Sequence, residues 1–203
     1  HARIVLDKVQ SGISRNAYEY VMYALASNDP EKANLVYQFV TYGFTIGRRV
    51  TDAMQIPCVK SIFALQRRVR NEAAWFREIL RFQEVSVEPS VLLAVIEPDH
   101  RILTMIASHF ADRLNPERFM IYDKGHCEVM IHVPEQPWYI RALTVQECAQ
   151  LDVLLEQKEE YVIVWKTFFD SICIQERRND SLQTNMAPKK YRTHMTEFQP
   201  EQQ

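Results

Sequence analysis

Residues 97–113 have the sequence EPDHRILTMIASHFADR, which combines two histidines, two arginines and three carboxylates with the apolar spacing of a helix. Pro98 has no N–H to donate to a neighbouring strand, so it predicts that the strand before this segment ends there. Asp99 is suited to the N-terminal cap of the helix, because its carboxylate can accept hydrogen bonds from the N–H groups of the first turn. The stretch therefore predicts a strand followed directly by a buried helix, and the rest of the fold is built around this junction.

The helical spacing of this stretch places His109 and Arg113 on the same face as its isoleucines. A buried polar group without a partner costs about 1–3 kcal/mol, so both side chains require partners. We predict that His109 and Arg113 face a pocket together with Glu97 and His100, where a histidine paired with a carboxylate could act as a general acid or base. The same pattern also fits a core histidine bonded to the backbone and an arginine paired with a carboxylate.

Segments with strand character lie on both sides of this helix. Before it, residues 82–88 and 91–97 predict two strands joined by a turn, and the apolar run in the second indicates a strand buried on both faces. After it, residues 118–123 and 127–133 predict a hairpin, and residues 138–143 predict one further strand. Together they predict an antiparallel sheet of about five strands.

Helical periodicity dominates the remainder of the chain. The predicted helices before the sheet cover residues 5–27, 31–42, 49–54 and 58–82. After the sheet, Thr144 and Glu147 have the spacing of a capping box, so they predict the start of another helix. Residues 159–175 predict a further, apolar helix.

The fold class predicted from this order is α+β, with a helical N-terminal half, a central antiparallel sheet, and C-terminal helices followed by a basic extension. We expect one domain over residues 1–203, with a helical part at 1–82, a sheet-containing part at 83–143 and a C-terminal helical part at 144–203. Because the chain begins with His1 rather than Met, we also expect that a native N-terminal segment is missing.

The composition is that of an ordinary globular protein, and it argues against several classes of function. The chain has 203 residues, of which 47% are hydrophobic, and a formal net charge of −2; no apolar run approaches the length of a membrane span. Only four glycines are present, with neither GxGxxG nor a Walker A loop, which argues against the nucleotide sites that depend on those motifs. The four cysteines are far apart, so we predict reduced thiols in a cytoplasmic protein, with no metal and no cofactor.

A row of arginines lies beside the core face of the longest predicted helix. Arg67, Arg70, Arg77 and Arg81 fall within one arc of residues 58–82, so they extend over several turns of about 5.4 Å each. Such a row can follow a phosphate backbone, and we therefore predict that it binds DNA. The alternative is a solvated helix face whose arginine stems cover the edge of the core.

Two further polar groups lie near the C-terminus and could also contact DNA. Their residues are Arg177, Arg178 and Asn179 in the first group and Lys189, Lys190 and Tyr191 in the second. A basic loop with an aromatic side chain can bind a phosphate while the ring stacks on a base. The alternatives are arginines that cap a helix and a solvated tail. His126 and His132 lie in or next to the predicted hairpin, where we expect surface residues rather than ligands.

Several motifs resemble, in the same order, those of a family of bacterial DNA repair or DNA metabolism proteins that form a domain of unknown function. They are LRFQE at 80–84, EPDH at 97–100, SHFADR at 108–113, FMIYD at 119–123, ERRN at 176–179, LQ at 182–183 and PKKY at 188–191. The resemblance covers most of the chain. It implies a DNA repair context, with a radical SAM protein or a uracil-DNA glycosylase domain as partner, and it implies no catalytic residue.

The sequence supports three hypotheses of function. The first is a cytoplasmic DNA-binding repair protein that uses its basic patches and works with a radical SAM protein or a uracil-DNA glycosylase. The second is an enzyme that acts on damaged DNA bases or ends, with His100 or His109 as general acid or base and Glu97 as its partner. The third is a non-catalytic adaptor that docks such a partner through an exposed apolar surface.

Overall fold

The computed structural model describes residues 2–85 and 90–156 of the chain. Its α-helices are α1 (Ala2–Gly12), α2 (Arg15–Ala26), α3 (Lys32–Ile46), α4 (Pro57–Ile79), α5 (Leu103–Arg113) and α6 (Val145–Glu156). Its strands are β1 (Gln83–Val85), β2 (Val91–Ile96), β3 (Phe119–Asp123), β4 (Glu128–His132) and β5 (Tyr139–Ala142). A 3₁₀ helix covers Gly47–Asp52. The predicted α+β class is confirmed, and none of the helices in the two described ranges is long and apolar enough to cross a membrane.

The chain forms two compact units. The helical unit contains His1–Leu80 and Ile96–Ala107, and the sheet unit contains Arg81–Val95 and Ser108–Gln203. The chain therefore enters the sheet unit after α4, returns to the helical unit after β2, and leaves it again within α5. The single domain expected from the sequence stays a prediction.

Helices α1 and α2 replace the single helix that the sequence predicted over residues 5–27. The break lies at Ser14, whose hydroxyl accepts a hydrogen bond from the N–H of Ala17 at 3.0 Å. A serine in this position satisfies a donor that the first turn of a helix leaves open, so a new helix begins after it. Val21 and Ala24 of α2 are buried in the core of the unit.

Helix α3 continues beyond the predicted end at residue 42 and stops at Ile46. Gly43 lies inside it, at a place where a Cβ atom would come within 2.7 Å of the Ile13 Cδ1 atom. The absence of a side chain at Gly43 therefore permits the close approach of Ile13 to α3. Gly47 ends the helix with a φ of +69°, a backbone conformation that glycine adopts without the steric cost of a Cβ.

The sheet has five strands in the order β1-β2-β3-β4-β5. Three neighbouring pairs are antiparallel, namely β1 with β2, β3 with β4, and β4 with β5. The sheet as a whole is mixed, and this refines the antiparallel arrangement predicted from the sequence. The reason is the connection between β2 and β3, because a helical crossover such as α5 joins parallel neighbours, whereas a short turn joins antiparallel ones.

The core of the sheet unit lies between the sheet and α6. Every residue of β3 is buried, and Tyr122, Ile131, Leu143 and Leu151 belong to one apolar cluster. The predicted capping box at the start of α6 is confirmed. The backbone N–H of Thr144 donates to Glu147 Oε2 at 2.7 Å, and the N–H of Glu147 donates to Thr144 Oγ1 at 3.2 Å.

Cys127 and Cys148 form a disulfide across 21 residues of sequence. The prediction of reduced cysteines is therefore wrong for this pair, although Cys58 is a free thiol. Sequence spacing could not identify the pair, because it is brought together by the turn of the sheet before α6. There the N–H of Leu143 donates to the carbonyl of Cys127 at 2.8 Å. Cys173 and the helix predicted over residues 159–175 lie outside the described residues.

Candidate functional site

The outer face of α4 presents three arginines close together. Arg67, Arg68 and Arg70 are exposed, because Leu65 and Val69 turn the opposite side of the helix into the core. None of the three forms an ion pair or a side-chain hydrogen bond with another residue in the ranges that the structure describes. Their guanidinium groups are therefore available to an anionic ligand. The apolar residues at helical spacing in α4 are buried, as predicted for its core face; they are Ile62, Leu65, Val69, Ala73 and Phe76.

Arg77 and Arg81 do not continue the exposed row of Arg67 and Arg70 along α4. The Arg77 Nη2 atom donates to the carbonyl oxygen of Met105 at 2.9 Å, and its Nε atom is buried. Arg77 therefore joins α4 to the start of α5 within the helical unit. Arg81 does not continue the row, because α4 ends at Ile79 and Leu80 is already extended. The row on this helix is thus limited to Arg67, Arg70 and Arg77, and Arg77 is bonded to the Met105 carbonyl.

Trp75 is an exposed aromatic residue on the same helix, and the sequence analysis did not identify it. Its side chain is 54% exposed, while the next residue, Phe76, occupies the core position. The two rings meet edge to face, with centroids 5.0 Å apart. Side chains on a helix lean towards its N-terminus, so the indole of Trp75 extends towards Asn71 and Arg68. The signal in the sequence was a tryptophan one position outside the apolar spacing.

Glu72 is an acidic residue of α4 whose oxygens are occupied by backbone donors. They accept hydrogen bonds from the N–H of Asp99 at 2.7 Å and the N–H of His100 at 3.0 Å. Asp99 was predicted to cap α5, but α5 begins at Leu103. The segment before α5 is instead held against α4 by these two bonds. Among the described residues, Glu72 forms no ion pair with the exposed arginines of α4.

His100 has a structural contact that the predicted site did not include. Its Nδ1 atom accepts a hydrogen bond from the N–H of Asn28 at 3.2 Å, so the proton of the neutral ring is on Nε2. The next residue, Arg101, donates its backbone N–H to the carbonyl of Ala26 at 3.0 Å. Both bonds bind the segment to the end of α2. His100 is half-buried there, and Glu97 is exposed.

His109 and Arg113 are exposed, and the prediction that they lie in a buried stripe is wrong. The buried residues of α5 are Leu103, Ile106, Ala107, Phe110 and Ala111. The core face is therefore rotated by about 100°, or one residue, from the predicted face. Glu97 and His100 belong to the helical unit, whereas His109 and Arg113 belong to the sheet unit. The pocket formed by these four residues, and their catalytic roles, stay predictions.

Asp123 and His126 form a hydrogen-bonded pair in the turn between β3 and β4. The His126 Nδ1–H group donates to Asp123 Oδ2 at 2.8 Å, and the His126 backbone N–H donates to Oδ1 at 3.1 Å. Burial raises the pKa of Asp123 above its ordinary value, although the bonds to His126 oppose that shift. A carboxylate that orients a histidine is an arrangement used in acid–base catalysis, but an aspartate that closes its own turn explains it equally well.

Of the two hairpin histidines expected on the surface, His126 is half-buried, and the expectation is wrong for His132. It is 3% exposed, its ring stacks on Phe119, and its Nδ1–H group donates to the Glu117 carbonyl at 3.0 Å. Burial lowers the pKa of His132, although its bond to the Glu117 carbonyl opposes that shift. Within residues 2–85 and 90–156, no group of three or more His, Cys, Asp or Glu residues is placed to hold a metal ion.

The two predicted DNA-binding groups near the C-terminus lie outside the described residues. They are Arg177, Arg178 and Asn179, and Lys189, Lys190 and Tyr191. Their roles stay predictions based on the sequence alone. Among the described residues, the exposed surface formed by Arg67, Arg68, Arg70 and Trp75 is the best candidate for binding an anionic ligand, and we call it the α4 face.

Comparison with known proteins gives a family but no activity. A family model described as DUF4130, a domain of unknown function, matches residues 30–197. The match includes α4, the whole sheet and α6. No curated protein and no solved structure matches the chain.

Proposed function

Because the chain belongs to the DUF4130 family, a domain of unknown function, we propose a function from the site itself: a DNA-binding protein of DNA repair or DNA metabolism. The observation that carries the proposal is the α4 face, where three exposed arginines without ion-pair partners and an exposed tryptophan lie on one helix. Arginine suits this role, since its planar guanidinium matches the geometry of phosphate and always carries its charge.

The charge distribution along the chain supports the same proposal. The formal net charge of the protein is −2, yet α4 contains five basic residues and only two acidic ones. Of the acidic residues, Glu72 is bound to backbone donors of the segment before α5. The helix α4 therefore has a local excess of positive charge. A local basic surface on a nearly neutral protein is typical of a nucleic-acid contact, rather than of general attraction to polyanions.

The proposed partners rest on the sequence resemblance. In this proposal the protein works beside a radical SAM protein or a uracil-DNA glycosylase domain, and its C-terminal groups at 177–179 and 189–191 add further contacts to DNA. The α4 face then holds the backbone while the partner performs the chemistry.

The test is the binding of fluorescent DNA to the full chain over a salt series, measured by anisotropy. In the double variant Arg67→Ala/Arg70→Ala, two phosphate contacts are removed. The slope of log K against log salt should therefore become shallower by about 1.8 on duplex or about 1.4 on single strands. At about 0.1 M salt, affinity should fall by about 10- to 100-fold for the same reason.

The matched control is Arg48→Ala/Arg49→Ala. These arginines are also exposed, belong to the same helical unit, and change the net charge equally. We expect less than about a threefold loss of affinity from this control, because salt screens the attraction between DNA and exposed charges that do not contact it. An equal loss in both double variants would mean diffuse attraction and would contradict a specific α4 face. Absence of DNA binding at low salt would instead favour the adaptor hypothesis.

A further inference from the structure

We infer that the α4 face binds single-stranded DNA, with one base stacked on the indole of Trp75. This inference rests on the proposed function and adds the form of DNA and the residue that selects it. The observations that carry it are the exposure of Trp75, the contact of its ring with Phe76, and the polar residues towards which it leans.

The exposure of Trp75 is unusual for its residue type. Tryptophan is highly buried on average, yet Trp75 is 54% exposed. Its ring contacts the ring of the 8% exposed Phe76 edge to face, with centroids 5.0 Å apart. A tryptophan side chain has only two χ angles, so it presents a large ring surface at a low cost in conformational entropy, as a stacking platform requires.

The surroundings of Trp75 favour a nucleotide over an apolar protein segment. The indole leans towards the N-terminus of α4, where Asn71 lies one turn away and Arg68 two turns away, or about 10 Å along the axis. A protein-docking surface would be a contiguous apolar patch, whereas the N-terminal side of Trp75 is polar: it has Asn71, Arg68 and Glu72, whose oxygens are bonded to the N–H groups of Asp99 and His100. An exposed aromatic ring on a helix with exposed arginines has the composition of a surface that stacks a base and binds its backbone.

Access to the faces of the bases favours a single strand over a duplex. In a duplex, both faces of each base are covered by the neighbouring pairs, so an indole on a convex helix cannot reach them without unstacking the DNA. In a single strand, a base can turn onto the ring at little cost. Every base has a π-face, so such a platform tolerates different sequences.

The test compares native protein with Trp75→Ala on a single-stranded oligonucleotide and on the corresponding duplex. Base stacking on an aromatic residue is worth about a 5- to 150-fold change in affinity per base, so Trp75→Ala should weaken single-strand binding by a factor in this range. The loss should be smaller on duplex. The salt slope should stay the same, because stacking releases no counterions. Trp75→Phe should recover part of the affinity.

Tyr37→Ala provides the matched control. Tyr37 is 71% exposed and lies on α3 of the same helical unit, so its loss removes an exposed aromatic away from the α4 face and should leave single-strand binding unchanged. If Trp75→Ala binds like native protein while Arg67→Ala/Arg70→Ala does not, the stacking inference is overturned and the proposed function stands. Tighter binding of native protein to duplex than to single strand also overturns it. Absence of DNA binding by native protein rejects both.

Discussion

Burial of His132 makes the stability of the protein depend on pH. Burial lowers the pKa of His132 below its ordinary value of 6.5, and the bond to the Glu117 carbonyl only partly opposes this. Below about pH 6.5 the unfolded chain therefore takes up a proton that the folded protein resists, and stability declines as the pH falls. We expect this decline in urea unfolding measured from pH 7 to pH 5.

The variant His132→Asn isolates that effect, since asparagine can still donate to the Glu117 carbonyl but does not titrate in this range. We expect a flatter pH profile for the variant, even if it is less stable. Asp123 acts in the opposite direction, because its raised pKa gives a contribution that is present below 3.8 and is lost as the pH rises. Asp123 is present in both proteins, so it cancels in the comparison. Identical profiles would show that His132 is not the responsible group.

The residues of the candidate site show where sequence reasoning reached its limit. The arginines at 67 and 70 could be predicted to be exposed, because the apolar spacing of α4 is regular. On α5 the apolar residues fit two adjacent faces almost equally well, and the choice between them decides whether His109 is buried. That choice depends on what packs against the helix. Trp75 was missed because an aromatic next to a core position is not distinguishable by type from a core residue.

The capping box at the start of α6 contributes to the stability of that helix, and a single substitution tests it. Glu147→Ala removes the acceptor of two Thr144 donors, so we expect a loss of about 1 kcal/mol in the free energy of unfolding. Hydrogen bonds from the Thr144 N–H and hydroxyl, and then Arg141, lower the pKa of Glu147. Its stabilising contribution is therefore present above pH 4.5 and is lost as the pH falls through the folded pKa.

The control for this prediction is Gln146→Ala, an exposed neighbour in the same turn. It should change stability by less than about 0.5 kcal/mol, as surface substitutions usually do. Chemical denaturation of both variants over a pH series from pH 7 down to about pH 2, which extends well below 4.5, provides the measurement. A loss from Glu147→Ala that persists unchanged at low pH would argue against an ionised cap.

The disulfide between Cys127 and Cys148 fixes the start of α6 to the turn before β4. It closes a loop across 21 residues, for which chain entropy gives a stabilisation of about 3 kcal/mol. We expect a reducing agent such as a dithiol to lower the free energy of unfolding by about this amount, with two thiols formed and the dithiol oxidised to its disulfide. Unfolding curves with and without the dithiol measure it.

Two variants sharpen this measurement. Cys127→Ser/Cys148→Ser should reproduce the reduced protein and lose its response to the dithiol. Cys58→Ser, which removes the free thiol found within residues 2–85 and 90–156, should keep the full response. Three reactive thiols at 58, 127 and 148 in native protein before reduction, located by alkylation and peptide mapping, would contradict the disulfide.

The bounds of some helices and strands were predicted more accurately than others, and the difference depends on the residues at each boundary. Strands β3 and β4 were predicted closely because a lysine and a glycine separate two apolar runs. The helix over 5–27 was predicted as one, because a serine inside an apolar pattern can either continue a helix or cap a new one. The parallel neighbours β2 and β3 were missed, since strand periodicity reports which residues are buried but not the direction of the adjacent strand.

At the scale of the whole molecule, the class and the order of the parts were predictable, but their grouping was not. The period of the apolar residues decides helix or strand along the chain, so the α+β class follows from local pattern. The return of the segment Ile96–Ala107 to the helical unit depends on contacts distant in sequence. Asn28 with His100, Ala26 with Arg101 and Arg77 with Met105 are three such contacts, and no pattern within either segment specifies its partner.

Glu72 provides the test of this grouping. If its carboxylate holds the returning segment, Glu72→Ala should expose the N–H groups of Asp99 and His100 to faster hydrogen exchange and cost about 1 kcal/mol of stability, since both lie near solvent and can bind water instead. Glu72→Gln keeps one acceptor oxygen and should lose less. Glu19→Ala breaks only an exposed pair with Arg15, so it should leave exchange in the segment unchanged. Unchanged protection in Glu72→Ala would mean that the segment is held by its apolar residues rather than by α4.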